Sequence, residues 1–250
     1  MTKEKYKNIL NRIINYVPIE SGIQTLVYMF LDDLFENSDY DLLVIDRMQK
    51  KSQYETYSGV SDIAVIKDCM SENNDIICYI EVKAANEKLN KYELQLLGQL
   101  LPLSKAIITN GKEWICYDIN WYIKNNAENI IDECWANEEI NSIQVEVNNI
   151  IEKEKDLAKQ KSSLAHTRTK NEKIIKDKVT KINELENIIK KKREKVDSLI
   201  ENSDIIKNVL DHPRINISLV EDNLDTSQCL INTFKYTKLI TKLYDFINDI

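Results

Sequence analysis

The first 35 residues carry hydrophobic side chains at the spacing of two α-helices. Over residues 3–15 the apolar positions recur at helical intervals, which places them on one face of a helix. Pro18 interrupts this pattern and is expected to end the helix. Residues 20–35, ESGIQTLVYMFLDDLF, then predict a second and more strongly apolar helix.

Shorter apolar runs follow, with the length and β-branched composition of strands. Three strands are predicted first, at residues 41–46, 60–67 and 76–84. A helix over residues 90–101 comes next and is expected to stop near Pro102. Residues 105–118 predict a β-hairpin, because an Asn-Gly pair, a strong tight-turn signal, separates two apolar runs. This alternation of helices and strands predicts an α/β domain.

The chain contains neither Gly nor Pro from Lys112 to His212, which indicates a long helical region at about residues 125–203. A 3.5-residue repeat with six apolar positions can be followed in its second half: Ile175, Lys178, Ile182, Leu185, Ile189, Lys192, Val196 and Leu199. The pattern is typical of a coiled coil or of a long two-helix hairpin, which would reverse near residues 165–170. The predicted division is a domain at 1–124, the helical region at 125–203, and a small C-terminal segment of unassigned role at 204–250.

The net charge of −7 hides an uneven distribution along the chain. Residues 151–200 carry 15 basic and 9 acidic side chains, so one segment is basic inside an acidic protein. Two interpretations stay open for this segment: a stripe that binds phosphates, or a solvated coiled-coil surface in which Lys and Glu alternate. The helical region at 125–203 is also the expected surface for a homo-oligomer or a partner protein.

The cysteines are odd in number and form no C-x-x-C pair, which argues against a disulfide framework or a zinc knuckle. They are expected to be buried as small hydrophobic side chains, at Cys69, Cys78, Cys116, Cys134 and Cys229. No apolar run approaches the ~18 residues of a membrane helix, and the N-terminal stretch lacks the features of a secretory signal. A cytoplasmic location without membrane contact is therefore expected.

Charged residues on two consecutive predicted strands form the most informative pattern in the chain. Glu81 is the only Asp or Glu in the sequence that is followed by a lysine, Lys83, two residues later. Because side chains alternate along a strand, both point to the same face. Pairing with the preceding strand would place Asp62 beside Glu81. Two adjacent carboxylates repel each other, and Mg²⁺, which prefers oxygen ligands, would relieve that repulsion. The pattern alone leaves open a metal site for phosphodiester hydrolysis and a solvated strand face.

The segments GVSDIAVI and YIEVKAANEKLNKYELQLLGQLLPLSKAIITNGKEWICYD resemble the PD-(D/E)xK nucleases, most closely the N-terminal nuclease domain of type I restriction enzyme R subunits. The shared order is an Asp in a G-x-x-D strand, E-x-K on the next strand, a helix with a Q-L pair, and a TNG-x-x-W hairpin, over about residues 15–120. This resemblance implies a restriction-endonuclease-like mixed sheet flanked by helices. It also implies a metal-dependent endonuclease acting on DNA, in restriction or phage defence. The nucleotide-driven motor of an R subunit would need a G-x-x-x-x-G-K-[ST] loop, which this sequence lacks.

The resemblance assigns a role to each residue of the acidic pattern. Asp62 and Glu81, together with the carbonyl of Val82, would bind Mg²⁺, for which Mn²⁺ is expected to substitute. Lys83 would be the catalytic lysine. Glu20, at the start of the second helix, would bind the metal or orient a water; the alternative for this residue is a first-turn acid favoured by the helix dipole.

Two further positions belong to the helix that follows the E-x-K strand. Gln95 matches the glutamine that supports the site in the family. The alternative interpretation is that Gln95 is an exposed helix residue without a role in the site. Gln99 stands where the family often has Tyr. The Pro of the family signature is also absent, since Val60 and Ser61 precede the Asp.

Three functional hypotheses follow. The leading one is a stand-alone, Mg²⁺-dependent DNA endonuclease. The second is a non-catalytic nucleic-acid-binding or assembly module with the same fold, which oligomerises through its helical region. The third is a nuclease that works only with a partner protein.

Overall fold

The computed structural model describes residues 1–16, 19–45, 48, 54–67, 75–126, 133–165, 172–220 and 230–249. Within these ranges the protein is α/β, with a six-stranded mixed sheet and eight α-helices. The helices are α1 (Lys3–Tyr16), α2 (Glu20–Phe35), α3 (Glu93–Leu103), α4 (Ile119–Asn125), α5 (Glu133–Ala165), α6 (Glu172–Asn202), α7 (Asp204–Asp211) and α8 (Thr233–Asn248). The strands are β1 (Tyr40–Val44), β2 (Glu55–Thr56), β3 (Gly59–Val60), β4 (Ile63–Lys67), β5 (Asp75–Val82), β6 (Lys105–Thr109), β7 (Glu113–Asp118) and β8 (Ile215–Ser218).

The main sheet has the strand order β1-β4-β5-β6-β7-β8. All neighbours are antiparallel except β5 and β6, which run parallel and are connected through α3. A parallel pair needs such a crossover, whereas the antiparallel pairs need only turns. Strands β2 and β3 form a separate two-stranded hairpin before β4. The predicted α/β class is confirmed, and strand β5, which carries Glu81, lies in the middle of the sheet.

The strand predicted at residues 60–67 is interrupted, which corrects the sequence interpretation. Strand β3 ends at Val60 and β4 begins at Ile63. Between them, side chains replace the regular ladder: Ser61 Oγ donates to Ile80 O at 2.9 Å, and Asp62 Oδ2 accepts from Val82 N at 2.7 Å. Asp62 therefore lies in a short break beside β5 rather than within a strand.

The helix predicted to stop near Pro102 ends at Leu103 and so includes the proline, and the residue that follows it, Ser104, has a left-handed backbone with φ of 63°. A proline has no N–H to donate to the carbonyl four residues earlier. That carbonyl, Gly98 O, accepts instead from the backbone N–H of Tyr57 at 3.3 Å. The proline is tolerated because the β2–β3 hairpin supplies the missing donor.

Helices cover both faces of the sheet. One core contains residues of α1, α2 and α8 packed on Trp114 and the inner side of β4 and β5. The other contains residues of α3, α4 and α7 together with the bases of α5 and α6. Cys78 and Cys116 are buried as expected, and burial raises the pKa of the Cys78 thiol to about 12. Cys69, Cys229 and the side chain of Cys134 lie outside the described residues.

The C-terminal segment is built into the sheet domain. Strand β8 pairs with β7 as the sixth strand, and α8 packs in the same core as α1 and α2. The buried Lys105 of β6 donates to the carbonyls of Phe246 and Asp249 at the end of α8, the first at 2.9 Å. Arg214 binds Asp118 at 2.7 Å and Asp249 at 2.6 Å. The described parts of the small segment predicted at residues 204–250 therefore share their sheet and core with the N-terminal domain.

Helices α5 and α6 form an antiparallel pair, which we call the arm. Interhelical ion pairs join Glu146 to Lys192, Glu154 to Arg193 and Glu186 to Lys161, at 2.7–2.8 Å. The repeat positions Ile182, Ile189 and Val196 are buried as expected, whereas Ile175, the first position of the repeat, is exposed. This arrangement matches the two-helix alternative, while supercoiling stays a prediction and the expected reversal near residues 165–170 falls largely outside the described residues. Because Lys192 and Arg193 are engaged with α5, the basic stripe is partly neutralised within the arm. None of the helices in the described ranges is long and apolar enough to cross a membrane.

Replacement of Lys105 by Met tests how α8 is attached to the sheet. The variant keeps the length of the side chain but leaves the carbonyls of Phe246 and Asp249 without this donor. We expect the free energy of unfolding to fall by about 1–3 kcal/mol, since buried acceptors lose a charged donor. Chemical denaturation measures this change. The exposed Lys238→Met on α8 is the control, and an equal effect of both substitutions would contradict the interpretation.

Candidate functional site

The site is assembled from four places in the fold: the start of α2, the break before β4, the end of β5 and helix α3. Asp62 lies in the break and is fixed by the N–H of Val82. Glu81 is on β5, and Lys83 directly follows that strand, with its own N–H bonded to Thr109 O at 2.8 Å. The parallel partner strand therefore continues to hold the backbone after β5 has ended.

The carboxylate of Glu81 is buried and bonded to three side chains. Its Oε1 accepts from Lys83 Nζ at 2.5 Å and from Gln95 Nε2 at 2.6 Å. Its Oε2 accepts from Gln99 Nε2. A buried charge is tolerated when it is paired and fully hydrogen-bonded, and these donors meet that condition. The carboxylate is consequently held in one orientation.

Lys83 is the central cation of the site. Besides its bond to Glu81, its Nζ lies 4.0 Å from Glu20 Oε2 and 4.6 Å from the centre of the Tyr92 ring. Burial by itself lowers the pKa of the ammonium, but the hydrogen bond and charge of Glu81, with the charges of Glu20 and Asp62, raise it above the ordinary value. Lys83 is therefore protonated at neutral pH in this arrangement.

Asp62 is the carboxyl group with the most unfavourable surroundings. Burial raises its pKa to about 7, and the negative charges of Glu81 and Glu20 add to this effect. The hydrogen bond from Val82 N and the charge of Lys83 oppose it without cancelling it. The negative charge of Glu81 thus disfavours ionisation of Asp62, as expected for two carboxylates in one partly buried site.

The structure brings together all the predicted site residues around Lys83: Glu20, Asp62, Glu81, Val82 and Gln95. Glu20 begins α2, as predicted, and its side chain is 51% exposed. Gln95 bonds to Glu81, so its alternative as an exposed helix residue is wrong. The two alternatives for Glu20 stay open, because a first-turn acid can also contact a lysine.

Sequence reasoning missed the contributions of Gln99, Tyr92 and Ser61. Gln99 is buried and binds Glu81, although the family pattern would place Tyr there. Its position four residues after Gln95 puts both amides on one helix face, and that spacing was an available signal. Tyr92 covers Lys83 and donates to Glu87 Oε2 at 3.1 Å. No local sequence signal indicates that contact.

The donor set fits Mg²⁺ only as an open site. Among the described residues there is no group of three or more His, Cys, Asp or Glu side chains placed to hold a metal ion. Asp62 and Glu81 supply two carboxylates, and Mg²⁺ is commonly held by one or two carboxylates with water and phosphate as further ligands. The carboxyl group of Asp62 is partly buried and close to the charge of Glu81, and both effects raise its pKa, so a cation beside it would be favourable.

Comparisons with known proteins add nothing to this geometry. No family model matches the chain, and neither a curated protein nor a solved structure matches it.

The raised pKa of Asp62 predicts a pH-dependent stability that Asp62→Asn abolishes. The folded protein retains this proton up to pH ~7, whereas the unfolded chain releases it near pH 4. In that window the folded state binds more protons, so stability decreases as the pH rises. Relative to Asp62→Asn, the wild type is expected to lose on the order of 2–4 kcal/mol between pH 4 and 7.5, without divalent ions.

Denaturant unfolding at a series of pH values measures this loss. Asp177→Asn, an exposed position on α6, is the matched control and should follow the wild type. Parallel curves for wild type and Asp62→Asn over the whole range would show that Asp62 ionises normally in the folded protein.

Proposed function

We propose that this protein is a metal-dependent nuclease that hydrolyses DNA phosphodiester bonds. The observation that carries the proposal is the convergence of Asp62, Glu81 and Lys83, with Glu20 and Gln95, at one end of strand β5. These residues come from separate segments of the chain. They match, position by position, the acidic pair and lysine of the PD-(D/E)xK nucleases. A solvated strand face would not bury Glu81 or supply it with three donors.

Asp62, Glu81 and the carbonyl of Val82 are the groups that would hold Mg²⁺ or Mn²⁺. Such an ion supplies charge neutralisation at a scissile phosphate and a more acidic water. Gln95 and Gln99 orient the Glu81 carboxylate. The two amides therefore act as support for a metal ligand.

Lys83 is assigned a role as hydrogen-bond donor. Its raised pKa keeps the ammonium charged at neutral pH, so it would hold a water or neutralise the phosphate and would not remove a proton. The ring of Tyr92, with its centre 4.6 Å from Lys83 Nζ, covers one side of the ammonium and shields that side from solvent. Glu20, at 4.0 Å from Nζ on the exposed side, is placed to orient a water.

The choice of DNA as substrate, and of restriction or phage defence as context, follows from the resemblance to the type I R-subunit nuclease domain. The stand-alone enzyme and the partner-dependent enzyme share the same site. They differ in whether cleavage needs a second protein, and an assay of the chain by itself distinguishes them.

Cleavage of supercoiled and linear plasmid DNA with Mg²⁺ or Mn²⁺ tests the proposal. Asp62→Ala and Lys83→Met are each expected to lower the cleavage rate by at least about 10²-fold, as removal of a group acting in the transition state does. The matched controls are Asp75→Ala and Lys67→Met, exposed charges on β5 and β4. Equal rates for the wild type and both site variants would overturn the proposal.

One observation favours a second candidate, a non-catalytic binding or assembly module. Both oxygens of Glu81 already accept hydrogen bonds from protein side chains, so the carboxylate is satisfied without a cation. Calorimetry with Mn²⁺ separates the two functions, with Glu81→Gln as the comparison. Wild-type binding that Glu81→Gln abolishes supports the nuclease. No heat of binding with either protein, together with a dimer in light scattering, supports the module.

A further inference from the structure

The arm contacts the β2–β3 hairpin, which immediately precedes Asp62. Tyr57, at the turn of this hairpin, is buried, and its hydroxyl donates to Asp197 Oδ1 of α6 at 2.6 Å. The guanidinium of Arg193, one turn earlier on α6, lies 4.6 Å from the centre of the Tyr57 ring. Arg193 also binds Glu154 of α5 at 2.7 Å. Helix α6 therefore holds this tyrosine of the sheet domain directly, and α5 holds the arginine that covers its ring.

The same hairpin is bonded to α3. Ser58 Oγ donates to Gln95 O at 2.5 Å, and Tyr57 N donates to Gly98 O at 3.3 Å. A Cβ added at Gly98 would overlap with the side chain and backbone of Ser58, so only glycine permits this approach. The hairpin is consequently in direct backbone contact with the helix that carries Gln95 and Gln99.

Both paths from Tyr57 end at the carboxylate pair. Through α3, the hairpin is connected to the amides that bind Glu81. Along the chain, four residues separate Tyr57 from Asp62, and Ser61 bonds that segment to Ile80 O on β5. A displacement of the hairpin would therefore move Asp62 and the Glu81 donors together. The geometry of the two carboxylates depends on where the hairpin docks.

We propose that Tyr57 is a positioning residue of the site and that the arm controls the site through it. This inference rests on the proposed nuclease function and names its regulation. When α6 holds the Tyr57 hydroxyl and ring, Asp62 and Glu81 are at their working separation. When the arm shifts, the hairpin is released and the carboxylates lose their alignment. A ligand or protein that moves the arm thereby switches the site.

The design of the test uses conservative variants of this contact. Tyr57→Phe keeps the buried ring under Arg193 and removes only the hydroxyl. Asp197→Ala removes the acceptor, and Asp197→Asn restores a neutral oxygen at the same place. The matched control is Glu186→Ala, which removes an interhelical ion pair of the arm that does not involve Tyr57. Denaturation curves establish that each variant is folded.

Hydrogen exchange without metal gives the first readout. The amides of residues 57–67 are expected to exchange roughly tenfold faster in Tyr57→Phe and Asp197→Ala, because a bond to a charged acceptor is lost. Asp197→Asn should restore most of the protection, and the double variant Tyr57→Phe/Asp197→Ala should add nothing to either single change. Glu186→Ala should leave this segment unchanged. If residues 57–67 exchange at the wild-type rate in both Tyr57→Phe and Asp197→Ala, the coupling between the arm and the site is overturned.

Cleavage kinetics give the second readout. Misalignment of the carboxylates should lower kcat by roughly 10- to 100-fold with little change in KM, as small displacements of reacting groups do. If the wild type does not cleave DNA but exchange is still faster in the two single variants, the coupling is retained and the proposed function is rejected. An active wild type whose exchange and kcat are both unaffected by Tyr57→Phe and Asp197→Ala would reject the coupling and retain the function.

Discussion

The buried Glu81–Lys83 pair is the interaction on which the rest of the site depends. A carboxylate in the middle of a sheet is costly unless it is paired and hydrogen-bonded. Here the cost is offset by Lys83 and two glutamine amides, which fixes α3 against β5. Because α3 is also the crossover between the two parallel strands, the same contacts connect the chemistry to the topology. Removal of Lys83 would leave the buried Glu81 carboxylate with only the two neutral amide donors, and removal of Glu81 would leave Lys83 with Glu20 as its nearest carboxylate.

Much of this arrangement was accessible from sequence, since it depends on local periodicity. The apolar spacing of α2 and the Asn-Gly turn of the 105–118 hairpin predicted those elements correctly. Strand alternation correctly placed Glu81 and Lys83 on one side, although Lys83 lies after the strand and is held by Thr109. Features that depend on contacts distant in sequence were not accessible. The break at Ser61 and Asp62 arises from bonds to β5, nearly twenty residues later.

The same limit applies to the C-terminal segment and to the arm. Strand β8 has only four residues, and nothing in the sequence around it indicates that it pairs with β7. The heptad positions of α6 predicted a buried seam, but they do not specify the partner helix. The ion pairs from Glu146 and Glu154 to Lys192 and Arg193 identify it as α5. One of them also holds Arg193, which lies over the ring of Tyr57. No sequence motif marks Tyr57, because its role depends only on its contacts with α6 and α3 in the folded protein.

The charge of the site decides what can bind there. Glu20, Asp62 and Glu81 face a single ammonium, so the group carries a net charge of about −2 once Asp62 is ionised. A DNA phosphate would be repelled by that charge in a partly desolvated gap. The proposed binding of a phosphate at this end of β5 would therefore need a divalent cation as a third component. A module that binds nucleic acid without a cation would have to use another surface. DNA binding that depends on Mg²⁺ would consequently distinguish the proposed nuclease from a binding module, whereas DNA binding without that dependence would not.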